Sequence, residues 1–134
     1  MRITKVDHIG IATRNAQEVA AVYKEFGLAV EATEEVPSQK VRVTFIPVGE
    51  TRLELLEPTS EDSAVAKFIE TRGEGVQHIA FAVEDLDGAL AECERAGMRL
   101  IDQTPRQGAH HNAIAFIHPK STKGVLIELC KRRS

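Results

Sequence analysis

Residues 6–28, VDHIGIATRNAQEVAAVYKEFGL, align without a gap with residues 76–98, VQHIAFAVEDLDGALAECERAGM. The offset is 70 throughout, and it carries His8 onto His78. Val6/Val76, Ile9/Ile79, Ala12/Ala82, Ala21/Ala91 and Gly27/Gly97 are also identical. A repeat at a fixed period means one supersecondary unit used twice, so any fold must accommodate two similar halves. Each copy reads as a strand, a polar turn, an amphipathic helix and a glycine stop. In the first helix Asn15 is the N-cap, and Val19, Val22, Tyr23 and Phe26 follow at helical spacing. In the second, Asp85 or Asp87 caps and Leu86, Leu90 and Cys93 share one face. Gly27 and Gly97 stand where a helix end favours a left-handed residue.

Three strand-like stretches follow each helix. They are LAVEATEEV, KVRVTFIPV and TRLELLEP in the first half, and MRLIDQTP, NAIAFIHP and GVLIELC in the second. The reading is a single α+β domain of two tandem βαβββ modules. The first covers about 1–58, a linker with one helix at Ala64–Thr71 covers about 59–75, and the second covers about 76–134. A chain of 134 residues is one ordinary domain and needs neither disulfide nor metal to fold.

Strand alternation places the two histidines. His8 shares a face with Val6, Gly10 and Ala12, and His78 with Val76, Ala80 and Ala82. Small residues beside a histidine leave room for a ligand. The last strand of each module embeds a carboxylate among apolar residues: Glu54 in TRLELLEP, Glu128 in GVLIELC. Glu54 shares its face with Arg52 and Leu56, and Glu128 with Leu126 and Cys130. Burying a carboxylate is costly unless something pairs with it. Two histidines and two carboxylates at matching places, His8, Glu54, His78 and Glu128, make a divalent-metal shell of mixed N and O donors. Cobalt is favoured, with zinc, nickel, manganese or iron compatible. Taken singly, a strand histidine or glutamate is usually just a hydrogen-bonded or solvated residue. The repetition is what points to ligands. His110, His111 and His118 break the symmetry and read as loop or strand-end residues, Cys93 as helix core and Cys130 as a strand-end hydrophobe.

A formal net charge of −3 and 4% aromatic residues, with no Trp, argue against nucleic-acid or anionic-membrane binding. MRITKVDHIG lacks a signal-peptide apolar region, and no apolar run approaches the ~18 residues of a membrane helix. Two cysteines do not form a secreted framework. The expectation is a reduced, soluble, cytoplasmic protein.

The paired modules with His8, Glu54, His78 and Glu128 resemble the vicinal oxygen chelate (glyoxalase) superfamily. Within it the likeness is strongest to the methylmalonyl-CoA epimerases, through DHIGIA, TRLELLEP, DSAVAKFIETRGEGVQHIAFAVEDLDGAL, GAH at 108–110 and HPKSTKGVLIEL. The resemblance implies a curved mixed sheet around a metal cleft, a homodimer and an acyl-CoA substrate. It also implies interconversion of (R)- and (S)-methylmalonyl-CoA through an enolate. Glu128 matches the family position that is both ligand and base. Some family members carry a further glutamate at the position of Val43 and a glutamine at that of Glu54. The expected two-base pair here is therefore Glu54 and Glu128. Arg106, Lys120 and Lys123 are candidates for CoA phosphates, against an ordinary surface role. The alternative is a glyoxalase I-like lactoylglutathione lyase with the same shell. An extradiol dioxygenase and an antibiotic-sequestering binder are weaker alternatives.

Overall fold

The computed structural model describes residues 1–132, so the end of the second module's expected span, 76–134, lies outside the described residues. In chain order the elements are β1 (Ile3–Ala12), α1 (Ala16–Lys24), β2 (Ala32–Val36), β3 (Val41–Val48), β4 (Thr51–Pro58), α2 (Ala64–Arg72), β5 (Gly75–Val83), α3 (Leu86–Arg95), β6 (Arg106–Gln107), β7 (Ala113–Ile117) and β8 (Leu126–Lys131). Two compact units divide the chain. The early unit is His8–Gln77. The late unit joins Met1–Asp7 to the chain from His78 onward.

In the early unit the strand order is β2-β3-β4-β1. β4 runs parallel to β1, and β3 runs antiparallel to both β2 and β4, so the pairing is mixed. Asn15 caps α1, its side chain accepting from Glu18 N at 3.1 Å. On the helix side of the sheet, Ile11, Ala16, Ile46 and Leu55 form the core, with Ile9, Val19 and Tyr23 packed on it. The 3.6-residue period puts Val19 and Tyr23 inward, but Val22 and Phe26 are exposed, Phe26 at 73%. Phe26 lies past the end of α1 at Lys24, and Val22 stands on a face of the helix that none of the described residues covers. Ser63 caps α2 and accepts from Ala66 N at 3.0 Å. The helix ends at Gly73, whose φ of 81° is costly for any residue with a Cβ.

The late unit repeats the pattern, with strand order β5-β8-β7-β6. β8 is parallel to β5 and antiparallel to β7. Asp85 caps α3 by accepting from Gly88 N at 3.0 Å. Leu86, Leu90 and Cys93 pack from α3 onto Ala115, Ile117 and Leu129. Residues 1–7 belong here, and Thr4 Oγ1 donates to Ala82 O at 3.3 Å.

One expected strand is much reduced. MRLIDQTP forms only an isolated bridge, Leu100 with Ile117, and the next paired residues are Arg106 and Gln107. The reason is Asp102. Its side-chain Oδ2 accepts from Phe116 N at 2.9 Å, taking the place of a ladder carbonyl. Ile101 N and Asp102 N both donate to Phe116 O, so the backbone turns there rather than extending.

Candidate functional site

The parallel and antiparallel ladders fix what surrounds each buried glutamate. In the early unit, Glu54 is the register partner of Gly10 on β1 and of Phe45 on β3. In the late unit, Glu128 is the partner of Ala80 on β5 and of Phe116 on β7. Partners across a ladder lie on the same side of the sheet. Each carboxylate therefore stands between a very small residue and a phenylalanine, on the side opposite the helix-packed core. The empty side is where the histidine reaches in. His8 Nδ1 is 3.3 Å from Glu54 Oε2, and both residues are buried, at 5% and 4% exposure. His78 Nε2 is 3.3 Å from Glu128 Oε1, both at 4%. Each unit thus holds one buried imidazole–carboxylate pair.

The two pairs are not identical. The His78 and Phe116 rings make a T-shaped contact, with centroids 5.5 Å apart and an interplanar angle of 86°. The guanidinium of Arg106 lies over the Phe116 ring, 5.4 Å from its centroid. Arg106 Nε also lies 3.4 Å from Asp102 Oδ1. In the early unit, Phe45 carries Arg52 at 5.9 Å, and Arg52 Nη2 reaches Glu54 Oε2 at 3.4 Å. Sequence alternation puts Arg52 on the face of Glu54, but alternation alone does not show the contact. The role of Phe45 and Phe116 as walls beside the carboxylates was also not evident before the register was known.

The donor set suits a metal. A carboxylate taken out of water needs a counter-charge or hydrogen-bond donors, and a metal ion held between carboxylate and imidazole is one such counter-charge. Each pair offers one nitrogen and one oxygen donor, a mix that borderline divalent ions such as cobalt, nickel or zinc accept.

The remaining histidines lie elsewhere. His110 and His111 form a turn after Gly108, both in left-handed backbone at φ 57° and 59°. His111 Nδ1 is 3.2 Å from Gln107 Nε2. His118 Nδ1 accepts from Lys120 N at 3.0 Å, which requires that nitrogen to be unprotonated. Consistently, its affinity for a proton is lowered, first by desolvation and then by Arg99 and Lys120. Cys93 and Cys130 are buried free thiols. Val43 is buried on the carboxylate face, directly across from Leu56. Lys120 sits in the turn that His118 opens, and Lys123 has φ 63°.

The sequence matches the family described as the Glyoxalase/Bleomycin resistance protein/Dioxygenase superfamily over residues 7–116. The chain belongs to that superfamily. Among its relatives in the superfamily is the ethylmalonyl-CoA/methylmalonyl-CoA epimerase of Cereibacter sphaeroides, 36% identical over 95% of this chain and 97% of that one. The mitochondrial methylmalonyl-CoA epimerase of Dictyostelium discoideum is also 36% identical, over 95% of this chain and 78% of that one. A solved superfamily structure, a variant of Streptomyces coelicolor methylmalonyl-CoA epimerase in complex with 2-nitronate-propionyl-CoA, superposes with a TM-score of 0.94. It is 38% identical and the match covers 99% of this chain and 97% of that one. Among the described residues no helix is long and apolar enough to cross a membrane.

Proposed function

We propose that this chain is a divalent-metal-dependent methylmalonyl-CoA epimerase, with His8, Glu54, His78 and Glu128 as its metal ligands. The observation that carries the reading is the recurrence of a buried His–Glu pair at 3.3 Å in each unit of a chain whose relatives over nearly its full length include methylmalonyl-CoA epimerases. Cobalt is the ion of this reading, and zinc, nickel or manganese fit the same nitrogen and oxygen donors. When bound, such an ion supplies Lewis acidity toward the negative charge that develops on an acyl-CoA oxygen.

The chain's own residues do the rest. Epimerisation removes the C2 proton from one face, leaving a planar enolate, and returns a proton to the other. That requires a proton acceptor on each side of the carbon. Glu54 and Glu128, one from each unit, are the two acceptors of this reading. Val43 has no proton to give or take, so β3 supplies no acceptor there. Phe45 and Phe116 wall the carboxylates and exclude water, which protects the enolate from random reprotonation. Arg106, Lys120 and Lys123 serve as point charges for CoA phosphates. The enzyme works in the cytoplasm as a homodimer.

The decisive experiment is proton–deuterium exchange at C2 of methylmalonyl-CoA in deuterated buffer, with and without a chelator. Exchange that accompanies epimerisation, stops on chelation and returns with Co²⁺ is the expected result. Absence of exchange at any metal loading, with turnover of a glutathione hemithioacetal instead, overturns the reading. Light scattering of the purified protein tests the dimer.

A further inference from the structure

Arg52 is held by three elements of the early unit. It lies two residues before Glu54 on β4 and is the register partner of His8 on β1. Its guanidinium lies 5.9 Å from the Phe45 ring centroid on β3. Its side chain is 12% exposed, and Nη2 is 3.4 Å from Glu54 Oε2. That is the same oxygen that faces His8 Nδ1. A guanidinium does not lose its proton in a protein, so this is a fixed positive charge beside one of the four ligands proposed above.

The charge has a consequence for the ion. Two carboxylates and two neutral imidazoles would cancel a divalent cation, and full cancellation lowers its pull on a substrate oxygen. A fixed cation beside one carboxylate removes part of that donation. It also repels the ion, so it weakens binding while sharpening the ion's acidity; at this range such an effect is large, because the site is shielded from water. We propose that Arg52 and Glu54 act together as a single electrically neutral ligand. Arg52 offsets the carboxylate charge so that the ion keeps the acidity of a shell with one anionic donor. This rests on Glu54 being a ligand, and Arg52 acts through it rather than on the substrate.

The test is Co²⁺ affinity, measured by competition with a chromophoric chelator, for four proteins: wild type, Arg52→Met, Glu54→Gln and the double variant. Met keeps an unbranched apolar stem as far as the position of Nε and removes the charge. R52M is expected to bind Co²⁺ about tenfold more tightly, since the ion then meets an uncompensated carboxylate. E54Q is expected to bind about tenfold more weakly, since Arg52 is then unopposed. The double variant, neutral again at this ligand, is expected within about threefold of wild type, because the two charges cancel. Exchange at C2 should fall in R52M through kcat, with little change in KM. R52Q stands in if R52M does not fold, and R52K, which keeps the charge, should stay near wild type. Weaker or unchanged Co²⁺ binding in R52M and R52Q, with E54Q weakened, overturns the proposal and leaves Glu54 a ligand. Unchanged Co²⁺ binding in E54Q shows instead that Glu54 is not a ligand, and removes the reading beneath the proposal.

Discussion

Ala80 and Glu128 are register partners in the parallel β5–β8 ladder, and Ala80 is completely buried. The methyl group is what leaves His78 room to reach the carboxylate. Ala80→Leu should fill that space. Overpacking of this kind costs about 1–3 kcal/mol, which lowers the melting temperature without unfolding the chain. Metal content and C2 exchange should both be lost. If A80L retains full metal content, the small residue is there for packing and not for the site.

Glu54→Gln separates the ligand role from the base role. The amide oxygen still coordinates at saturating metal, but an amide does not accept the proton. Starting from one epimer, exchange of the C2 proton with solvent should persist through Glu128 while conversion to the other epimer collapses. Starting from the opposite epimer, both should collapse. Loss of one general base costs about 10²–10⁴-fold. Chiral analysis of the product beside the deuterium count reads both quantities at once. Near-wild-type epimerisation by E54Q assigns the second proton transfer to another group.

Asp62 gives a pH signature far from the site. Its carboxyl is held at about 2, against an ordinary 3.8, chiefly by hydrogen bonding with Lys40 and then with Ser60. Lys40 Nζ stands 2.5 Å from Oδ2. Because the folded value is depressed, the stabilisation is complete above about 3.8 and is lost as pH falls toward 2. Carboxyl ¹³C shifts followed through acid should show the low midpoint, and Lys40→Met should move it toward the ordinary value. A midpoint near 3.8 in the unmodified protein would contradict the pairing.

Both thiols should be inert in the native state. Burial, and then the charge of Glu92, push the Cys93 thiol up, away from the reactive thiolate. Cys130 is 1% exposed. A disulfide-exchange reagent should release no chromophore until denaturant is added, then two equivalents, one per cysteine. Rapid labelling of Cys93 in the folded protein would show that α3 opens away from β8.

Much of this arrangement was readable from the bare residues, for a physical reason. His8, Gly10, Glu54 and their later counterparts lie in regular strands, where period-two alternation determines the face. Asn15 and Asp85 act through bonds only three residues long. What stayed hidden depends on distant partners. The stretch MRLIDQTP has the composition of a strand, and only the reach of Asp102 to Phe116 N breaks it. Val22 and Phe26 fit a helical stripe, but whether a stripe is covered depends on what lies opposite. Alternation puts Arg52 and Glu54 on one face without specifying the rotamer that joins them.

The first seven residues leave the ribosome before any of the strands they serve. They belong to the unit that begins again at His78, and Thr4 must wait for Ala82. A nascent chain halted after Gln77 contains every residue of the early unit, yet its leading segment has no companion strands. A gene cut between the two repeat copies would therefore not yield two half-proteins. It would leave the later fragment short of its own opening residues, and the earlier one with a strand end that has nothing to join.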